Sequence, residues 1–190
     1  LIKNKKKIIV FDVGCYRGVF TKSILNLIGE EKNKFYLFDI NKKVKEYIRN
    51  LLNLKNIYFN EVALSNKNGT ANYNYNNFFE SAGSSISNIV KNDEKWNFSR
   101  KLIFKLLFLK AKNFSKYKVS TITLDNFIKK KNIKSIDILK IDVEGSEYDL
   151  LVGAKNTLKK NKINLILIEI IEKKNKYAKK EKKILNLLKK

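Results

Sequence analysis

The residues able to do chemistry are concentrated in three short stretches. The first is Asp12-Val13-Gly14-Cys15-Tyr16-Arg17-Gly18, which follows the apolar run Ile8-Ile9-Val10-Phe11 and precedes a helical pattern. Glycine at such a turn lets the backbone come close to a ligand, and the start of the helix offers unpaired N–H groups. A dinucleotide fingerprint, Gly-x-Gly-x-x-Gly, would seat a pyrophosphate there. This stretch lacks the middle glycine and sets an acid two residues ahead of the first. A carboxylate suits a ligand with a positive group better than a pyrophosphate, and S-adenosylmethionine carries both an ammonium and a sulfonium. A tight strand-to-helix turn without a ligand also accounts for the glycines.

The second candidate is Asp39, after the strand pattern Phe35-Tyr36-Leu37-Phe38. A carboxylate at that place can accept both hydroxyls of a ribose, or can cap the helix that follows. The third is Lys140-Ile141-Asp142-Val143-Glu144-Gly145-Ser146-Glu147. Period two puts Lys140, Asp142 and Glu144 on one face of a strand. Carboxylates buried at a strand tip are costly unless a cation or ligand pairs with them. Asp142 or Glu144 could take a hydroxyl proton, and together they could hold a divalent metal through oxygen. The alternative is that they cap the helix near Ser146 while Lys140 pairs with an acid.

These residues need elements to position them. Helical spacing runs from Gly18 to Ile28, stopped by Gly29, and from Asn41 to Leu54, with Asn41 as a cap. A third strand starts at Ile57-Tyr58-Phe59 and is expected to continue through Val62 and Ala63. The order β-α-β-α-β requires a parallel sheet with right-handed crossovers. The pattern resumes with a strand at 136–143, a helix at 146–160, a strand at 163–170 and a basic helix at about 173–190. Between them lies an irregular insert at about 70–118, in which Thr70 to Tyr75 reads as an edge strand partnered by Val119 to Thr123. The segment Lys101 to Lys110 reads as a lid or packing helix, or as a basic interfacial helix, and the small residues Ser81 to Ser85 as an acceptor-facing loop. One domain over 1–190 is expected.

At its three motif sites the chain resembles the FkbM-type family of S-adenosylmethionine-dependent methyltransferases. The resemblance runs through Phe11-Asp12-Val13-Gly14, Glu61-Val62-Ala63-Leu64-Ser65, Ser84-Ser85, Val119 to Asp125, Asp137 to Glu147 and Leu167-Ile168-Glu169. It implies the α/β class I methyltransferase fold, a Rossmann-like doubly wound and mostly parallel sheet, and methyl transfer to a hydroxyl of a sugar, glycolipid or natural product. Asp12, Gly14 and Gly18, with Cys15 and Tyr16 between them, would line the methionine end of S-adenosylmethionine. Asp39 would hold the ribose, and Val62 and Ala63 would lie near the adenine. Asp142 and Glu144 would face the transfer centre with Glu169 as a helper and Lys140 orienting Asp142. Any divalent metal would fall to Asp142, Glu144 and Glu169; whether one takes part is left open. The family often has Ala-Asn where Cys15-Tyr16 stands, so Cys15 is expected to be a small packing residue. The family fold closes with a strand pair after the fifth strand, whereas Leu185 to Lys190 reads as a helix, so that pair is expected to be missing.

Composition narrows the classes. The 190 residues contain no His, one Cys and no Met. This excludes His-dependent triads and Cys-rich metal sites, and the missing Met points to a fragment. The lone cysteine and the lack of a leader pattern suggest a cytoplasmic, reducing setting. Lys and Arg total 41 against 18 acids, a net charge of +23. Only Arg17, Arg49 and Arg100 are arginine, so specific nucleic-acid reading, which favours the guanidinium fork, is not expected. The partner expected is a small-molecule or glycan acceptor, with peripheral membrane contact as a further option; oligomeric state is open. The rival readings are an NAD-dependent oxidoreductase and a non-enzymatic basic module binding a polyanion or an anionic membrane surface.

Overall fold

The computed structural model describes residues 7–76, 114–169 and 178–189. β1 (Ile9–Val13), β2 (Lys34–Phe38), β3 (Ile57–Asn60), β7 (Ile136–Ile141) and β8 (Ile163–Ile168) form one parallel sheet in the order β3-β2-β1-β7-β8. The inner strands are buried over nearly their whole length, because helices cover both faces and each alternate side chain meets a core. Val10, Phe35, Leu37 and Ile138 pack with α1 (Val19–Ile28) and the short helices α2 (Val44–Tyr47) and α3 (Arg49–Leu52). Phe11, Tyr36, Phe38, Leu139 and Ile141 pack on the other face against α4 (Leu124–Lys130) and α5 (Glu147–Gly153). Asp137, buried at the amino end of β7, ties the sheet together there by accepting from Ile9 N–H (2.8 Å) and Asn164 Nδ2 (2.8 Å).

The chain leaves β1 toward β2 and β3, then returns to β1's other side with β7 and β8. The order therefore reverses between β1 and β7, the place where open α/β sheets form a crevice at the carboxyl ends of their strands.

A second, three-stranded sheet has the order β4-β6-β5. β4 (Ala63–Leu64) runs parallel to β6 (Phe114–Ile122), and β5 (Gly69–Asn76) runs antiparallel to it, with Tyr73 opposite Tyr117. Their rings meet edge-on at 5.1 Å. The expected continuation of the third strand through Val62 and Ala63 is thus corrected: β3 ends at Asn60, and Ala63 joins the second sheet. The edge strand expected at Thr70 to Tyr75 is β5, and its partner β6 begins at Phe114, earlier than the expected Val119. The segments Lys101 to Lys110 and Ser81 to Ser85 lie outside the described residues.

Two expected helices are each divided. The one at 41–54 becomes α2 and α3, and the one at 146–160 becomes α5 and α6 (Lys155–Lys159). In the second case Gly153 sits so close to the Ser65 carbonyl that a Cβ would lie 2.0 Å from its oxygen. The contact that seats α5 beside β4 leaves no room for a side chain there. After β8, the described chain is helical in α7 (Ala178–Leu188), and no strand follows β8 among the described residues.

Candidate active site

Gly14 closes β1 with φ +75°, its N–H donating to Phe38 O (2.9 Å). A Cβ at this position would lie 1.7 Å from the Asp142 carbonyl oxygen. Only glycine lets the tips of β1 and β7 approach this closely. Tyr16 follows at φ 42°, and its N–H donates to Asp39 Oδ2 (3.0 Å), while Asn41 N–H donates to Oδ1 (2.9 Å). Asp39 is thereby fixed between the β1 and β2 tips. Burial pushes its carboxyl above the ordinary aspartate range, against the backbone N–H bonds that favour its charge.

Gly14, Tyr16, Asp39, Val62, Ala63, Asp142 and Glu144 line one cleft. Ile40, Asn41, Tyr73, Val143 and Ser146, to which local sequence assigned no binding role, line it as well. Tyr73 comes from the second sheet, and no local signal in the sequence marks it as part of a cleft. Glu144 adopts φ 50°, followed by Gly145 at φ 94°, so the chain turns sharply from β7 into α5. Buried Glu147 holds that turn by accepting from Gly145 N–H (2.8 Å).

Other expected site residues lie beside the cleft and not in its lining. Asp12 is fully buried beneath it. Its Oδ2 accepts from Thr21 Oγ1 (2.7 Å), and Lys140 Nζ stands 3.4 Å from Oδ1. Burial raises its carboxyl above the ordinary range, with Lys140 opposing. Cys15 is buried in the α1-side core with its thiol pushed strongly upward by burial, which suits packing and not nucleophilic attack. Gly18 sits at the start of α1 (φ 68°), where a Cβ would lie 2.6 Å from Leu51 Cδ1, so its small size serves helix packing.

Lys140 joins these layers. Its Nζ donates to Gly14 O (2.8 Å) and lies 3.1 Å from Asp142 Oδ2, as well as 3.4 Å from Asp12. One ammonium thus connects the β1 turn, the buried acid and the cleft-wall acid. Glu169 stands exposed beyond the tip of β8, where its N–H donates to Ile141 O (3.0 Å). The metal grouping of Asp142, Glu144 and Glu169 is not formed: among the described residues no three His, Cys, Asp or Glu side chains are placed to hold an ion. Lys140 supplies the positive charge beside Asp142.

Parallel order, a switch point between β1 and β7, and an acid at the β2 tip define a Rossmann-like α/β fold. The methyltransferase FkbM domain model matches residues 12–190, and the chain belongs to that methyltransferase family. It is 24% identical over 159 residues to the 2-O-methyltransferase NoeI of Sinorhizobium fredii (strain NBRC 101917 / NGR234), covering 81% of this chain and 60% of that protein. The crystal structure of methyltransferase FkbM from Methylobacillus flagellatus KT superposes with a TM-score of 0.54 over 87% of this chain and 34% of that one, at 13% identity. That likeness concerns the fold. The chain spans less than two thirds of either relative.

Proposed function

We propose that the cleft binds S-adenosylmethionine and that the protein transfers its methyl group to a hydroxyl, with Asp142 as the base. One observation carries the reading. In a chain of net charge +23, the cleft wall carries Asp39, Asp142 and Glu144 and, among the described residues, no Lys or Arg. A negative cleft in a positive protein suits a cationic cofactor, and it disfavours pyrophosphate or a polyanion there. The residues fit the group: Asp39 offers a carboxylate at the β2 tip for the ribose, Val62, Ala63 and Ile40 offer apolar contact for a flat base, and the carboxylates at the β7 tip match a sulfonium.

When bound, the cofactor supplies an electrophilic methyl carbon. The protein's part is to hold the acceptor oxygen in line, exclude water and receive the hydroxyl proton. With no histidine in the chain, Asp142 is the group best placed to receive it. Lys140, held by Gly14 O, positions that carboxylate. A sugar or glycolipid hydroxyl is the acceptor we favour, supported by the 2-O-methyltransferase relative.

Calorimetric titration tests the cofactor. S-adenosylmethionine and its demethylated product are expected to bind saturably at both low and high salt, with NAD inert and Asp39→Ala abolishing the heat. Heat that collapses with salt and ignores the adenosyl ligands would instead establish the polyanion-binding reading.

A further inference from the structure

A cleft that suits the sulfonium of S-adenosylmethionine leaves another part of that molecule without a partner. The amino-acid end of the cofactor carries an α-carboxylate beside its ammonium. Asp39, Asp142 and Glu144 line the cleft, and among the described residues no Lys or Arg does. An anion brought among three acids is costly unless a cation meets it. Lys140 stands beneath the wall, but its ammonium is already shared among Gly14 O, Asp12 and Asp142.

Arg17 is placed differently. It follows Tyr16, a residue of the cleft wall, in the turn between β1 and α1. Its Cζ lies 5.2 Å from the centre of the Tyr16 ring and 5.4 Å from that of Tyr47, and the two rings meet edge-on with centres 5.6 Å apart. Tyr16 is itself tied to the site, its N–H donating to Asp39 Oδ2 (3.0 Å). Arg17 is exposed, and among the described residues no carboxylate forms an ion pair with it. A guanidinium held against aromatic rings is oriented by them while its N–H groups stay available to fork a carboxylate. α1 begins two residues further on with no acid in its first turn, so the positive end of its dipole adds to the same field.

We propose that Arg17 binds the α-carboxylate of S-adenosylmethionine, with Tyr16 and Tyr47 holding its guanidinium beside the cleft. This rests on the cleft being the cofactor site. The two ends of the cofactor are then sorted by charge. Carboxylates at the β7 tip meet the sulfonium, and the arginine of the β1–α1 turn meets the carboxylate. The aromatic brace cuts the entropy that a long exposed side chain loses on pairing, the cost that makes ordinary surface ion pairs weak.

The experiment is calorimetric titration of the full chain with S-adenosylmethionine and with decarboxylated S-adenosylmethionine. The second ligand keeps the adenosine, the sulfonium and the ammonium and lacks only the carboxylate. Arg17→Gln is expected to weaken the first about tenfold, the scale of a lost charge-assisted hydrogen bond, and not to weaken the second. The ratio of the two affinities decides, because each absolute value also reflects the acids of the wall. Tyr47→Leu, outside the cleft lining, should lower the ratio in the wild-type chain and leave it unchanged in the Arg17→Gln chain. A ratio that Arg17→Gln does not move, whether both ligands weaken alike or neither does, overturns the assignment. A Tyr47→Leu effect that persists without Arg17 overturns the brace. If the wild-type chain binds neither ligand, the cofactor reading fails and the assignment with it. If it binds both and the ratio stays fixed, the carboxylate assignment alone fails.

Discussion

Lys140 is the residue on which the most structure converges, and removing its ammonium shows what it does. In Lys140→Met the fully buried Asp12 keeps its bond from Thr21 but loses the cation 3.4 Å away. An uncompensated buried charge costs about 3–5 kcal/mol. The sign with pH follows from Asp12 being raised already. Without Lys140 its folded-state proton affinity rises further, so the variant takes up a proton on folding. Its deficit is expected to be large at pH 7 and to shrink as pH falls toward the ordinary aspartate value of 3.8. Urea unfolding at pH 7 and pH 4 measures the difference. A pairing of Lys140 with an acid was legible in the sequence, but its pairing with Asp12, far away in the chain, was not.

Among the elements, α4 and α6 are joined through one acid. Asp125, in the first turn of α4, accepts from Thr157 N–H (2.8 Å) and Asn156 N–H (3.0 Å), and its Oδ1 also accepts from the Thr157 hydroxyl. It therefore satisfies the otherwise orphan amides at the start of α6 from a different helix. Asp125→Ala is expected to cost about 1–2 kcal/mol, the scale of a lost helix cap. Amide exchange at Asn156 and Thr157 should speed up more than at the β7 core. The helical spacing over 146–160 was read as one helix because apolar periodicity continues across Ala154. The division into α5 and α6 comes from long-range contacts, Gly153 against the Ser65 carbonyl and Asp125 against α6, which local pattern does not contain.

For the whole molecule, charge distribution matters more than charge total. Of three described ion pairs, two converge on Lys140, so most of the +23 repels itself across the surface. Raising ionic strength from 0.01 M to 0.15 M shortens the Debye length from about 30 Å to about 8 Å. The fold is expected to gain about 1 kcal/mol, roughly 2–4 °C in Tm at this size, read by thermal unfolding at the two salts. A decrease would mean that local pairs outweigh the repulsion. Among the described residues no helix is long and apolar enough to cross a membrane.

Local sequence was sufficient for the order of strands and helices around the parallel sheet, though not for where β3 ends or where two helices divide, and for the acids and glycines at the strand tips. Buried parallel strands are continuous apolar runs, and the turns that follow them require glycine or an acid whatever lies elsewhere in the chain. Gly14, Asp39 and Asp142 could therefore be named from their neighbours alone. Tertiary structure decided which of these residues meet. It set Gly14 against the Asp142 carbonyl, brought Tyr73 into the cleft from a second sheet, sank Asp12 beneath it and set Glu169 N–H on Ile141 O. Each is a contact between distant segments, fixed by strand order and register, and none is encoded in any local pattern of residues.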